Sequence, residues 1–200
     1  MEQIRSFIAI ELPNEVKSAL TRLQTQLKLG NPPSIKWVDP NSIHLTLKFL
    51  GNIGIDKIDE ITRTIETATQ GASPFHLEVK DLGVFPNLKR VQVAWVGISG
   101  EVERLGHLQQ RLESSLAPLG FTPESRPFTP HMTLARLRDR ASPDERQNFG
   151  QLIAGTRFEA VYSFNADAIN LMRSQLTREG AIYSRISSIK LKKPLSTANI

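Results

Sequence analysis

Apolar positions along the chain change their period several times, and each change marks an element. RSFIAIEL, from Arg5 to Leu12, is a near-continuous apolar and β-branched run and predicts a buried strand. Pro13 then opens a stretch in which Val16, Leu20, Leu23 and Leu27 recur at helical spacing, closed by Gly30 as a C-cap. After the turn-rich NPPS a strand passes through Trp37, DPNS breaks it, and SIHLTLKFL follows as an alternating strand. Ile58, Ile61, Ile65 and Ala68 mark a second helix ended by Gly71, and FHLEVKDLGVF and VQVAWVGI predict two further strands. A third helix runs from about Glu101 to Leu119, with Val102, Leu105, Leu112 and Leu116 on one stripe. The Pro-rich TPESRPFTP separates it from a second alternating segment, PHMTLARL. Ser142, Pro143 and Glu145 form the N-cap, first-turn proline and capping-box acid of a fourth helix. Strands around RFEAVYSFNADAINLMR and AIYSRISSIKL, joined by a turn near Arg178 to Gly180, complete the chain.

Two of these strands say nearly the same thing. HLTL begins at His44 and HMTL at His131, and the interval between them nearly equals that between RSFIAIEL and VQVAWVGI. The order strand, long helix, Pro-rich turn, His-Thr strand therefore occurs twice, which predicts an internal duplication. Each unit leaves an apolar sheet face to be buried on its partner or on the helices. The expected fold is α+β and bilobal, with two antiparallel sheets flanked by helices around a central cleft, the His44 motif in one lobe and the His131 motif in the other. Residues 1–200 are read as a single domain built from these two pseudo-symmetric lobes.

Strict alternation assigns the side chains to faces. Ile43, Leu45, Leu47 and Phe49 fall on the core side, while His44, Thr46 and Lys48 form a polar row on the other. In PHMTLARL, Met132 and Leu134 take the core side and His131 and Thr133 the polar one. The same rule puts Arg136 on the Met132 side, so a role for it beside His131 requires the strand to end or twist there.

Composition removes several chemistries. The 200 residues include no cysteine, which excludes disulfides, thiolate nucleophiles and thiolate metal sites and fits a cytoplasmic protein. The apolar runs are far shorter than the roughly 18 residues needed to span a bilayer, and the N-terminus does not read as a signal peptide. A soluble, unsecreted chain that works as a monomer, away from membranes, is expected. The formal charge of +5 favours an anionic partner. Lys48, Arg126, Arg136 and Arg138 lie beside the repeated motifs, and KLKKP, from Lys190 to Pro194, reads as a solvated end.

Two imidazoles flanking one small volume suit general acid–base chemistry, because an ordinary pKa of about 6.5 lets one be neutral and the other protonated near neutral pH. Thr46 and Thr133 add hydroxyl donors suited to the oxygens of a tetrahedral anion. A phosphodiester fits this inventory, above all a strained five-membered ring such as a ribose 2′,3′-cyclic phosphate. A metal centre fits poorly, since each motif offers one His without an adjacent carboxylate. His76 and His107 lack any such context and read as ordinary structural or surface residues. Phe7 and Trp37 are candidate stacking surfaces for a nucleobase, with core packing the stronger reading for Phe7.

HLTL and HMTL resemble the paired His-x-Thr-x signatures of the 2H phosphoesterase superfamily. RSFIAIELP, HLTLKFLG and RPFTPHMTLAR together resemble the RNA 2′,3′-cyclic phosphodiesterases, also called 2′-5′ RNA ligases after a reverse activity. That resemblance implies no cofactor and no metal, and hydrolysis of RNA or nucleotide 2′,3′-cyclic phosphates to 2′-phosphomonoesters. It also implies roles: His44 as the proton donor to the departing 3′ oxygen, His131 as the proton acceptor that activates water, and Thr46 and Thr133 as holders of the phosphate oxygens. Arg136 matches a basic position of the pattern. The rival from another class is a duplicated basic cleft that binds nucleotides or RNA ends without turnover.

Overall fold

The computed structural model describes residues 2–30, 34–158, 162–177 and 181–192. Among these the nine strands form two antiparallel sheets. The first has the order β3-β1-β8-β9, with β1 at Gln3–Glu11, β3 at His44–Gly54, β8 at Ala168–Leu176 and β9 at Ala181–Lys190. The second has the order β2-β6-β5-β4-β7, with β2 at Ile35–Trp37, β4 at Phe75–Phe85, β5 at Val93–Gly100, β6 at His131–Leu137 and β7 at Tyr162–Ala166. The two His-Thr strands thus belong to different sheets, and β3 and β6 lie against each other where the sheets meet.

Four α-helices appear among the described residues where the periodicity places them: α1 at Asn14–Leu29, α2 at Ile58–Thr69, α3 at Val102–Leu116 and α4 at Pro143–Gly155. Pro13 and Gly30 cap α1, and α4 begins with the Ser142–Glu145 capping box. Helix α3 stops at Leu116, three residues before the predicted end. A 3₁₀ turn at Ala117–Leu119 follows, and Gly120, at a φ of +90°, turns the chain away. The predicted turn at 178–180 and the end of KLKKP, at 193–194, lie outside the described residues.

Helices α1 and α3 do not cover the sheet whose strands they follow, whereas α2 and α4 do. Helix α1 comes after β1 of the first sheet but packs on the second, where Gln24 Nε2 donates to the carbonyls of Val38 and Leu134 and Arg22 donates to the Tyr162 hydroxyl. Helix α4 joins it there through Phe149, which meets Trp37 edge-on. Helices α2 and α3 pack together over the first sheet. One continuous apolar core results, running from Ile8, Ile10 and Leu45 through Leu105 and Leu112 to Met132, Leu134 and Ala166. Burial of this surface is the dominant stabilising term, and it needs both halves of the chain.

Alternation fails at an equivalent point in each motif strand, and β3 has a further irregularity at Leu50. On β3, Ala9 of β1 faces Thr46 and Ile8 faces Lys48, so Leu47 is an extra residue in a bulge. On β6, Trp95 of β5 faces Thr133 and Ala94 faces Ala135, leaving Leu134 as the extra residue. Beyond each bulge the faces exchange. Lys48 is turned into the core, with its side chain 4% exposed, and Phe49, expected in the core, is turned out at 66% exposure. Arg136 moves the opposite way to the strict-alternation expectation, onto the face of His131 and Thr133, where it is exposed. Phe49 and Arg136 are therefore pseudo-equivalent, as are Lys48 and Ala135.

Candidate active site

The sheet faces away from the helices carry the candidate chemistry. On the first sheet His44 stands opposite Glu11 of β1, with Thr46 opposite Ala9. The His44 ring is stacked on Phe7 at 4.5 Å between centroids and is met edge-on by Tyr183 at 4.9 Å. On the second sheet the His131 ring is met edge-on by Phe85 at 5.0 Å, with Trp95 6.2 Å away. Each imidazole thus sits against two aromatic rings from other strands of its sheet, which restrict its rotation.

The hydrogen bonds repeat the pattern. His44 Nδ1 lies 2.8 Å from the Ser42 carbonyl and His131 Nδ1 lies 2.7 Å from the Thr129 carbonyl, in each case two residues back along the chain. A carbonyl can only accept, so each Nδ1 carries the proton and each Nε2 is left to act. A neutral ring then presents a lone pair at Nε2 and a charged ring presents an N–H. Thr46 and Thr133 are half-buried, and among the described residues no protein group engages either hydroxyl.

Burial pushes the His44 pKa below the ordinary 6.5; the Ser42 carbonyl and the Glu11 carboxylate pull it back upward, and Lys17 in the first turn of α1 pushes it down again. Glu11 is itself held by Asn170 Nδ2 at 2.9 Å and Arg185 Nε at 2.7 Å. On the second sheet Lys36 lies opposite Arg136 across β2 and β6, so two exposed cations share the His131 face.

Two sequence expectations are corrected. Lys48 does not stand in the polar row; the bulge at Leu47 sends it inward to Glu113. Trp37 is not on the His131 face: its ring lies on the helix side, between Phe149 and Lys28, whose Nζ is 5.4 Å from the ring centroid. Phe7 follows the stronger of its two readings: it is 2% exposed and packed, with His44 on its ring face, and offers no open platform. Sequence reasoning missed Tyr183, Phe85, Trp95, Lys36, Lys17 and the outward Phe49. Alternation in AIYSRISSIKL already pairs Tyr183 with Arg185 on one face, but nothing local tells which face is the site.

Gly83 makes the Trp95 wall possible, because a Cβ there would collide with the indole ring. Gly83→Ala is expected to displace Trp95 from its place beside Phe85 and His131 at a cost of about 1–3 kcal/mol. Urea unfolding with tryptophan fluorescence reads both effects, and an unchanged emission spectrum and midpoint would contradict them.

Among the described residues no three His, Asp or Glu side chains gather as a metal-holding group, and no helix is long and apolar enough to cross a membrane. Two pseudo-equivalent strands, each with a clamped imidazole and a threonine hydroxyl one pleat on, define the class of 2H phosphoesterases. The 2′-5′ RNA ligase superfamily matches over residues 12–178, and the chain belongs to that family. It is 31% identical over 189 residues to the RNA 2′,3′-cyclic phosphodiesterase of Methanothermobacter thermautotrophicus, covering 94% of this chain and 100% of that one. To the Aquifex aeolicus protein of the same name it is 29% identical over 195 residues, covering 96% and 99%. The fold is shared with Escherichia coli LigT complexed with 3′-AMP, at a TM-score of 0.77 and 24% identity over 95% of this chain and 99% of that one.

Proposed function

We propose that the protein opens 2′,3′-cyclic phosphates at the ends of RNA or on nucleotides, giving the 2′-phosphomonoester and a free 3′ hydroxyl, without a metal. The observation that carries this is the matched pair of Nδ1–carbonyl bonds, which leave two Nε2 atoms as the working nitrogens of two imidazoles on equivalent strands. His131 takes a proton from water, the water oxygen bonds to phosphorus, the bond from phosphorus to O3′ breaks, and His44 gives its Nε2 proton to O3′. Thr46 and Thr133 donate hydroxyl hydrogens to the non-bridging oxygens, and Arg136 adds positive charge beyond Thr133. With the 5′ hydroxyl of a second RNA end in place of water, the same two proton transfers bond that oxygen to phosphorus as O3′ departs, giving a 2′-5′ linkage, which is the ligase direction. The names of the relatives at about 30% identity support the substrate class.

Burial disfavours the proton that His44 needs. The bound phosphate supplies the missing counter-charge, so protonation of His44 is coupled to substrate binding. Binding of 2′-AMP at pH 7 is expected to take up as much as about one proton, read by calorimetry in buffers of different ionisation heat. Affinity should fall as pH rises above neutrality, and the uptake should vanish in His44→Ala. Proton release on binding would contradict the coupling.

The test of the activity is to incubate EDTA-treated protein with 2′,3′-cyclic mononucleotides and short RNAs bearing cyclic ends, and to identify the isomer formed. The 2′-phosphate is expected. A requirement for added metal, or no opening at all, would overturn the proposal, and a 3′-phosphate product would overturn the assignment of His44 to O3′.

A further inference from the structure

Behind the polar row the structure holds a second polar cluster that the proposed reaction does not use. Lys48 Nζ donates to Glu113 Oε2 at 2.5 Å and to the Thr122 carbonyl at 3.1 Å. Glu113 Oε1 accepts from Gln109 Nε2 at 3.0 Å, and its Oε2 also accepts from the backbone N–H of Glu124 at 3.3 Å. Thr122 and Glu124 lie at the start of the loop that leads from Gly120 to Pro130 and so into β6; every residue from Thr122 to Pro127 is exposed. The end of the same loop supplies the Thr129 carbonyl that holds His131 Nδ1. An exposed loop is thus tied at one end to a buried ion pair and delivers at its other end the acceptor that orients an imidazole.

We propose that the Lys48–Glu113 pair is a positioning device for His131, clamping the 120–130 loop to β3 so that the strand of the first motif sets where the second imidazole stands. A buried ion pair is a weak source of stability, since apolar groups of similar volume often serve as well, so its retention here calls for a geometric reason. Two features of the fold agree with one. The bulge at Leu47 is what turns Lys48 inward, and the pseudo-equivalent position in the other motif is Ala135, which carries no charge. The device is therefore one-sided, reaching from the His44 strand toward His131 and not the reverse.

Lys48 is close in sequence to His44 and far from His131, which makes the test sharp. In the unmodified protein, hydrogen exchange should find the Glu124 amide protected relative to Ser125 and Arg126. Exchange of Glu124 as fast as its exposed neighbours would overturn the clamp without any variant. Lys48→Met with Glu113→Gln removes both charges while leaving an acceptor for Gln109. In this double variant the ring ¹⁵N and ¹H signals of His131 should lose the pattern of a single Nδ1–H tautomer while those of His44 keep it, and exchange should rise across residues 121–129. Movement of the His44 signals alone, or of neither, would mean that Lys48 merely supports its own strand. The rate arm rests on the proposed hydrolysis: kcat should fall roughly 10- to 100-fold at nearly unchanged KM, because the reacting groups are misplaced and binding is not. A parent protein with no activity would sink the hydrolase reading and leave the exchange and ring-signal outcomes to decide the clamp.

Discussion

His131→Ala is expected to lower kcat for opening a 2′,3′-cyclic phosphate by about 10²- to 10⁴-fold, the usual worth of a positioned acid or base, and His44→Ala by a similar factor. Neither loss should come from unfolding, because both imidazoles stand on sheet faces away from the helices. His44→Ala should cost more stability than His131→Ala, since it leaves Phe7 and Tyr183 without the ring they enclose. Circular dichroism and thermal unfolding separate fold from chemistry. The two roles then separate by leaving group. An aryl phosphodiester, whose departing phenolate needs no proton, should recover most of the lost rate in His44→Ala and none in His131→Ala. Recovery in the opposite variant would exchange the assignments, and recovery in both would remove the acid–base scheme.

Lys48→Ala is expected to lower the free energy of unfolding by about 3–5 kcal/mol, the cost of leaving a buried charge without its partner. Glu113 would keep only the side-chain amide of Gln109 and the backbone N–H of Glu124, with its own side chain 12% exposed on α3. Against a total stability of about 5–15 kcal/mol for a folded domain, such a loss is large. Lys48→Met combined with Glu113→Gln should recover most of it, because no uncompensated charge then remains. Urea unfolding of the three proteins decides the matter: equal losses in the single and double variants would mean that packing of the lysine stem, not its charge, sets the effect.

The two motifs, their nearly equal offset from the strands that precede them and the sharing of one face by His and Thr are all legible in the amino-acid order, because a repeat and a period of two are local properties. What lay beyond Leu47 and Leu134 was not legible. Both are ordinary apolar residues in ordinary positions, and neither motif contains the glycine that often betrays a bulge. One inserted residue exchanged Lys48 with Phe49 and brought Arg136 onto the His131 face, and only the pairing partner in β1 or β5 reveals it. The error over Trp37 has another origin. An apolar stripe on α1 says that the helix packs, not on which sheet, and the short β2 gives no sign that it pairs with β6 and so places Trp37 under α4. The tautomers were also out of reach, since Ser42 and Thr129 act through main-chain carbonyls, which any residue at those positions would supply.

The crossing of helices and strands between the two sheets also bears on how the molecule is made. β1 has β3 on one edge and β8 on the other, and β8 leaves the ribosome long after β1. At roughly 5–20 residues per second the nascent chain carries that open edge for several seconds to some tens of seconds. Long-range pairing of this kind is slow to form and exposes an apolar strand meanwhile. The wall of Phe7, Met172 and Tyr183 around His44 closes only when the C-terminal hairpin docks. A chain arrested before β8 would therefore contain both histidines and yet have only the second of them seated, so competence arrives with β8 and β9 rather than half by half.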